Sequence, residues 1–215
     1  MKTDKNLTEA LADFDEEKVI SMVETRLAGL ESPLALLGEL QEGMRLVGDR
    51  FNRGDYYLSE LMLSADLFSR VMQVLEPALE GTTSEPLGRL VIGTPKGDIH
   101  DLGKNIFVTL AKAAGFDVLD LGVDVPAERF IQAVEDFKPH ILGMSALITT
   151  SFETMKRIVD QLEAKGLRDS LKIVVGGGVT TDTVKRHIGA DAQTIDAMEG
   201  LRLCRELLGP RAEEG

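Results

Sequence analysis

Two rhythms of apolar positions divide the chain. Residues 1–80 carry helical spacing and almost no strand signal: Val19, Ile20, Val23 and Leu27 fall on one helix face, and Leu34, Leu37, Leu40, Met44 and Val47 on a second. Leu61, Ala65, Phe68, Met72 and Leu75 make a third face, and Leu7 to Leu11 supplies a short fourth helix. Ser32-Pro33 marks a helix start, a capping hydroxyl before a proline whose missing N–H costs nothing there. These stripes bury one another in a helical bundle over 1–80, which by itself reads equally as a structural or dimerising module. Pro77 and Gly81-Thr82-Thr83-Ser84-Glu85-Pro86 end the helical region, placing a linker at 81–87.

From residue 88 to the end, at 215, short apolar runs alternate with amphipathic helices. Strands are expected at 88–93, 116–121, 140–145 and 171–176, with a weaker one at 191–194. Helices are expected near 101–114, 127–137, 151–166, 180–187 and 197–208. Strand–helix alternation of this kind gives βαβ units and a five-stranded parallel sheet, a flavodoxin-like (Rossmann-like) α/β domain. In the strand order 2-1-3-4-5 the ligand crevice opens at the carboxyl ends of the first and third strands.

Polar residues follow those strands: Asp98 and His100 after the first, Ser145, Thr149, Thr150 and Ser151 after the third, and Gly176-Gly177-Gly178 after the fourth. His100 offers two ring nitrogens, one for a metal and one to donate to Asp98. The bland alternative, a surface or capping His100 beside an Asx-turn at Asp98, stays open. His140, at the opposite edge of the sheet, and His187, late in a helix, do not help build a protein-only zinc site. A single histidine therefore suits a cofactor that brings its own remaining metal ligands. The turn from Gly93 to Gly103 is neither G-x-G-x-x-G nor G-x-x-x-x-G-K-[ST], so nucleotide readings lose their main support. Three glycines at a strand end are either a tight turn or space for a bulky ligand. A glycine inside a helix, Gly103, suggests close approach. A receiver domain would want a phosphorylatable aspartate after the third strand, which instead ends Gly143-Met144-Ser145.

Composition narrows the partners. Net charge is −12, which opposes binding to a nucleic-acid backbone. One cysteine, Cys204, rules out an internal disulfide and a cysteine cluster, and its helical surroundings make it a half-buried small residue. With no apolar run long enough to span a bilayer and no signal-peptide core, the chain is expected in the cytoplasm. The segment from Asp49 to Leu58 breaks the helical spacing with Gly54 and gathers Phe51, Tyr56 and Tyr57, as junction packing or as cofactor contacts. Met44, Met62 and Met72 are equally ordinary gap fillers or residues of a lid.

Asp98-x-His100-x-x-Gly103, then Ser145-x-Leu147, then Gly176-Gly177, resembles the three-part signature of cobalamin-binding domains of the methionine-synthase and methyltransferase-corrinoid type. GDIHDLGKNI, DLGVDVP and GMSALITTS are especially like the stand-alone corrinoid proteins, and the helical region resembles their helical cap domain. The resemblance implies a methyl carrier holding cobalamin or a related corrinoid, as methylcobalamin, cob(I)alamin or cob(II)alamin. It makes His100 the lower axial cobalt ligand, Asp98 its hydrogen-bond partner, and Ser151 an extension of that relay. Protonation of the pair would favour release of His100 as the cobalt is reduced. Ser145, Leu147, Gly176 and Gly177 would line a slot for the nucleotide tail, with Gly103 letting that tail come close. Met44, Phe51, Tyr57 and Leu58 would cover the upper face.

The implied partners are a substrate-specific methyltransferase, a corrinoid:acceptor methyltransferase using tetrahydrofolate or a thiol, and a reductive activase; a homodimer stays open. Two rivals share the cofactor. A cobalamin sensor would need an output domain and a cap tryptophan, and the chain has no tryptophan. A mutase subunit would need a substrate barrel on another chain.

Overall fold

The computed structural model describes residues 6–79 and 86–209. The chain divides into two compact units, Met1–Glu85 and Pro86–Gly215. Residues 81–85 of the expected linker lie outside the described residues.

In the first unit, α1 (Leu7–Ala12), α2 (Glu16–Ala28), α3 (Pro33–Asn52) and α4 (Leu58–Leu79) form the bundle, with α3 packed on α1 and α4. The buried face of α3 is Leu36, Leu40, Gly43, Met44, Val47 and Gly48, so the expected stripe is corrected: Leu34 and Leu37 are only half-buried. The reason is close helix approach. A Cβ on Gly43 would meet Leu11 Cδ2 at 2.9 Å and the Thr8 carbonyl oxygen at 3.0 Å, so glycine turns that face toward α1. Ser32 also departs from expectation, making no side-chain cap bond. The amide it would have capped, Ala35 N–H, donates to the Ser32 carbonyl at 3.0 Å instead. Pro77 falls inside the last turn of α4, which continues to Leu79, rather than ending it. A proline this late removes a single helical hydrogen bond.

The aromatic segment forms a junction. Gly54, at φ +79°, turns the chain after α3. Glu60 accepts from the Tyr57 N–H at 2.9 Å and so starts α4, half of a capping box. The Tyr56 hydroxyl donates to the Ala12 carbonyl at 2.8 Å, and the Phe14 and Tyr56 rings pack with centroids 5.2 Å apart. Arg50 Nη1 ties the same corner, donating to the Ala12 carbonyl and to Asp13 Oδ1 at 3.0 and 2.6 Å.

The second unit is a five-stranded parallel sheet in the order β2-β1-β3-β4-β5. Its strands are β1 (Arg89–Gly93), β2 (Asp117–Asp120), β3 (Ile141–Ser145), β4 (Lys172–Gly176) and β5 (Ala192–Thr194). Between them run α5 (Leu102–Ala113), α6 (Ala127–Phe137), α7 (Ser151–Ala164) and α8 (Asp182–Ile188), and α9 (Ala197–Leu208) follows β5. Helical cap followed by parallel α/β sheet is the architecture the two rhythms imply.

Strand alternation separates the two faces of the sheet. Val91, Leu142, Met144, Ile173 and Val175 pack into one core with Phe130, Ile131, Ala133 and Val134 of α6 and Met155, Ile158 and Val159 of α7. Helices α5 and α9 cover the other face. On that face the register pairs Ser145 with Gly176 and Gly176 with Thr194, and one step below pairs Gly143 with Ile92 and with Val174.

Candidate corrinoid site

The β1–α5 loop is fixed before any ligand arrives. Gly97, at φ +92°, lets it turn back, and its N–H donates to Asp124 Oδ1 at 2.7 Å. Asp124 N–H donates to the Asp98 carbonyl at 2.9 Å, and the buried Thr94 hydroxyl donates to the His100 carbonyl at 3.2 Å. The loop is thereby stapled to the one after β2.

Inside it, the fully buried Asp98 carboxylate is saturated. Oδ1 lies 2.7 Å from His100 Nδ1 and accepts from the His100 N–H at 3.0 Å. Oδ2 accepts from the Leu147 and Ile148 N–H groups at 2.7 and 3.2 Å, with the buried Ser151 hydroxyl at 3.5 Å. Burial alone would raise the Asp98 carboxyl. The N–H groups of His100, Leu147 and Ile148 and the His100 ring outweigh it and hold the group below the usual carboxylate range. The Asx-turn and the held histidine are thus both present, served by one oxygen. His100 is 52% exposed, and with Nδ1 occupied, Nε2 is the nitrogen left for a ligand.

Every exposed large hydrophobic residue described in this unit stands beside that histidine's edge of the sheet. Ile99 and Leu102 flank His100 in sequence, and Val123, Leu147 and Ile195 lie on the loops after β2, β3 and β5. Four of them stand on the carboxyl-terminal loops and Leu102 opens α5, so the ligand edge of the sheet carries exposed apolar side chains.

Beside that edge a slot open to solvent runs between the sheet and helices α5 and α9. Gly103, Ser145, Gly176 and Gly177 line it. Leu147 does not: its side chain stands 46% exposed on the loop, and its backbone N–H holds Asp98. A Cβ on Gly103 would meet nothing within 4 Å, leaving open space where that helix faces the slot. Gly177 has a second duty. At φ +106° its Cβ would lie 2.0 Å from the Ala146 carbonyl oxygen, so the turn itself demands glycine.

The slot's far wall was not anticipated. It includes Thr194, Ile195, Asp196, Ala197, Gly200 and Cys204, and Cys204 is fully buried rather than half-buried. Lys104, also on the lining, is buried and paired with Asp120 at 2.5 Å. His140 is structural, its Nδ1 accepting from the Arg89 N–H at 3.0 Å. Among the described residues no group of three or more His, Cys, Asp or Glu converges to hold an ion. The free Nε2 of His100 is a single imidazole donor, which suits a metal whose other ligands arrive with a cofactor.

In the first unit, Met44 is buried in the bundle core and Phe51 is half-buried, whereas Tyr57 and Leu58 are 71% and 50% exposed. Met62 and Leu63 are exposed on the following turn of α4.

Residues 88–202 match the family model described as B12 binding domain, and residues 3–76 match a second model with the same description. The chain is 36% identical over 205 residues to the dimethylamine corrinoid protein of Methanosarcina barkeri, covering 95% of this chain and 96% of that one. A cobalamin-binding protein from Desulfitobacterium hafniense has a similar solved structure, with TM-score 0.76 and 35% identity, covering 94% of this chain and 97% of the other. A chain of the methanol:cobalamin methyltransferase complex of Methanosarcina barkeri aligns with TM-score 0.84 and 28% identity, over 95% of this chain and 79% of that chain.

Proposed function

Because this chain belongs to the B12-binding corrinoid proteins, a family of methyl carriers that work between methyltransferases, we propose that His100 is its cobalt ligand and that the slot beside it holds the corrinoid's nucleotide tail. The observation that carries this reading is the half-exposed His100 ring, held through Nδ1 by buried Asp98 on the loop that runs into slot-lining Gly103. When bound, the corrinoid supplies a cobalt nucleophile that takes up a methyl group and later gives it away.

The protein's residues supply position and charge. Asp98 orients the ring through Nδ1, and the Leu147 and Ile148 amides keep that carboxylate ionised. A proton and a metal would compete for the same Nε2 lone pair. Ile99, Leu102, Val123, Leu147 and Ile195 provide apolar contact and exclude water from the lower side. Gly103 admits the tail without backbone adjustment.

Our reading extends to partners. One methyltransferase loads the carrier and a second unloads it, and a reductive activase restores oxidised cobalt. Association of two copies is the remaining partner reading. The methyl donor is a methylated amine or alcohol, supported by relatives named for dimethylamine and by the structural match from a methanol:cobalamin complex. Among the described residues no helix is long and apolar enough to cross a membrane, in keeping with a proposed cytoplasmic setting.

The test is reconstitution with methylcobalamin. One corrinoid should be retained per chain, and His100→Ala should alter its visible spectrum while the tail remains bound. Failure of the wild-type protein to retain any corrinoid would end the proposal, and an unchanged spectrum in the variant would remove His100 from the metal. Methyl transfer from a panel of methylamines and methanol, each with its own methyltransferase, then identifies the donor.

A further inference from the structure

The slot changes character along its length. Its sheet wall is built from three steps of strand alternation: Ser145, Gly176 and Thr194 at the open edge, Ile92, Gly143 and Val174 below, and Leu90 with Ile141 at the bottom. Four residues separate Ser145 from Ile141, so the slot descends about 13 Å at the rise of a strand. Burial follows the same order. Ser145, Gly176 and Thr194 are half-buried, Ile92 and Val174 are buried, and Leu90 and Ile141 have no exposed surface. Opposite, α9 presents Ala197, then Gly200, then fully buried Cys204, descending in parallel.

Polar groups follow the gradient. Ser145, Thr194 and Asp196 lie at the mouth, and the Nζ of buried Lys104, also on the lining, is taken up by Asp120 and Asn105. The half-buried Phe107 ring faces Gly200 midway, the bottom is bounded by Leu90, Ile141 and the Cys204 thiol, and among the described residues no buried side-chain nitrogen or oxygen lacks a partner. The backbone there is also committed, since β1, β3 and β4 each pair on both sides. Burial pushes the Cys204 thiol up to about 12, so it faces the slot as a neutral group and a weak donor.

We propose that the floor formed by Leu90, Ile141 and Cys204, with Val174 just above it, selects the base at the end of the corrinoid tail, accepting a benzimidazole and disfavouring a purine. The inference rests on the corrinoid reading above. A benzimidazole presents an apolar bicyclic ring whose edge needs no partner. Adenine would carry an exocyclic amine and ring acceptors to a place without complementary groups, and each polar group buried unpaired is costly. A site that cannot satisfy a hydrogen-bonding edge rejects ligands that have one.

Equilibrium binding of apo-protein to three corrinoids tests this: cobalamin, its analogue with adenine as the base, and cobinamide, which lacks the nucleotide. Cobalamin should bind at least about tenfold more tightly than the adenine analogue, and cobinamide should be weaker than cobalamin. Equal affinity for the two bases, both above cobinamide, would overturn the selectivity while leaving the tail slot intact. Equal affinity for all three would remove the slot, and no binding of any would refute the corrinoid reading itself. Cys204→Leu should cost cobalamin about tenfold or more while cobinamide binding is retained, which also shows the variant is folded. Unchanged cobalamin affinity in a variant that still binds cobinamide would show that the base does not reach this floor.

Discussion

Asp98 Oδ1 stands 2.7 Å from His100 Nδ1 while its Oδ2 accepts from the Leu147 N–H, also at 2.7 Å. One buried carboxylate therefore links the histidine after β1 to the loop after β3. The ring cannot swing freely without breaking a charge-assisted contact, and the two loops cannot separate without leaving Asp98 unsatisfied. The geometry that would orient a metal ligand is in this way also part of the fold's stability.

That dual role predicts a pH signature in the apo-protein. Asp98 is held below its ordinary value, so its contribution is present above the unfolded carboxylate range, about 3.9, and is lost as pH falls through the lower folded value. Asp98→Asn should reduce stability at pH 6 by about 2–4 kcal/mol, since an amide cannot replace a carboxylate with five hydrogen-bond contacts. The difference between wild type and variant should shrink toward pH 3. Urea midpoints at the two pH values check it, and coincident curves at pH 6 would rule it out.

Two glycines of the slot should respond in opposite ways. Gly177→Ala forces a Cβ into the Ala146 carbonyl at a positive φ and should destabilise the fold by about 2 kcal/mol or more, with or without ligand. Gly103→Val has open space in the apo-protein and should leave its melting temperature nearly unchanged, while corrinoid affinity falls by tenfold or more. Thermal melting beside equilibrium binding separates the two. Equal destabilisation by both would mean that Gly103, too, serves the fold.

How much of this was legible in the sequence depended on the signal each part leaves. The strands were legible because apolar runs such as Leu90-Val91-Ile92 are bounded by Gly, Pro and Asp turns. Asp98 and His100 were legible because their side chains carry the chemistry. The slot's far wall was not, because Ala197, Gly200 and Cys204 resemble ordinary small residues of an amphipathic helix and reveal themselves only when α9 is laid against β4 and β5. Thr94 and Asp124 were missed because they act on backbone groups of the loop and follow no side-chain pattern. The α3 stripe was misjudged around its glycines, since apolar periodicity gives no weight to Gly43 and Gly48, which form part of the buried face.

Gly43 supplies a prediction for the helical unit. A side chain there meets Leu11 and the Thr8 carbonyl, so Gly43→Leu must push α1 away from α3. The expected cost is about 1–3 kcal/mol from overpacking. Hydrogen exchange should quicken first in Leu7–Ala12; unchanged protection of that helix would show that α1 does not depend on the close approach.

The exposed strip at the start of α4 gives the last prediction. Leu58 and Met62 are one helical turn apart, and with Tyr57 and Leu63 they are exposed apolar residues that the bundle does not use for its own packing. Met44, by contrast, is buried in the core. Leu58→Ser with Met62→Ser should therefore change folding stability by less than about 0.5 kcal/mol, because exposed side chains contribute little to it. Met44→Ala should do the reverse, lowering stability by about 2–5 kcal/mol through a core cavity. Thermal melting measures both effects, and a loss in the double variant as large as that of Met44→Ala would mean that the strip serves the bundle's own packing.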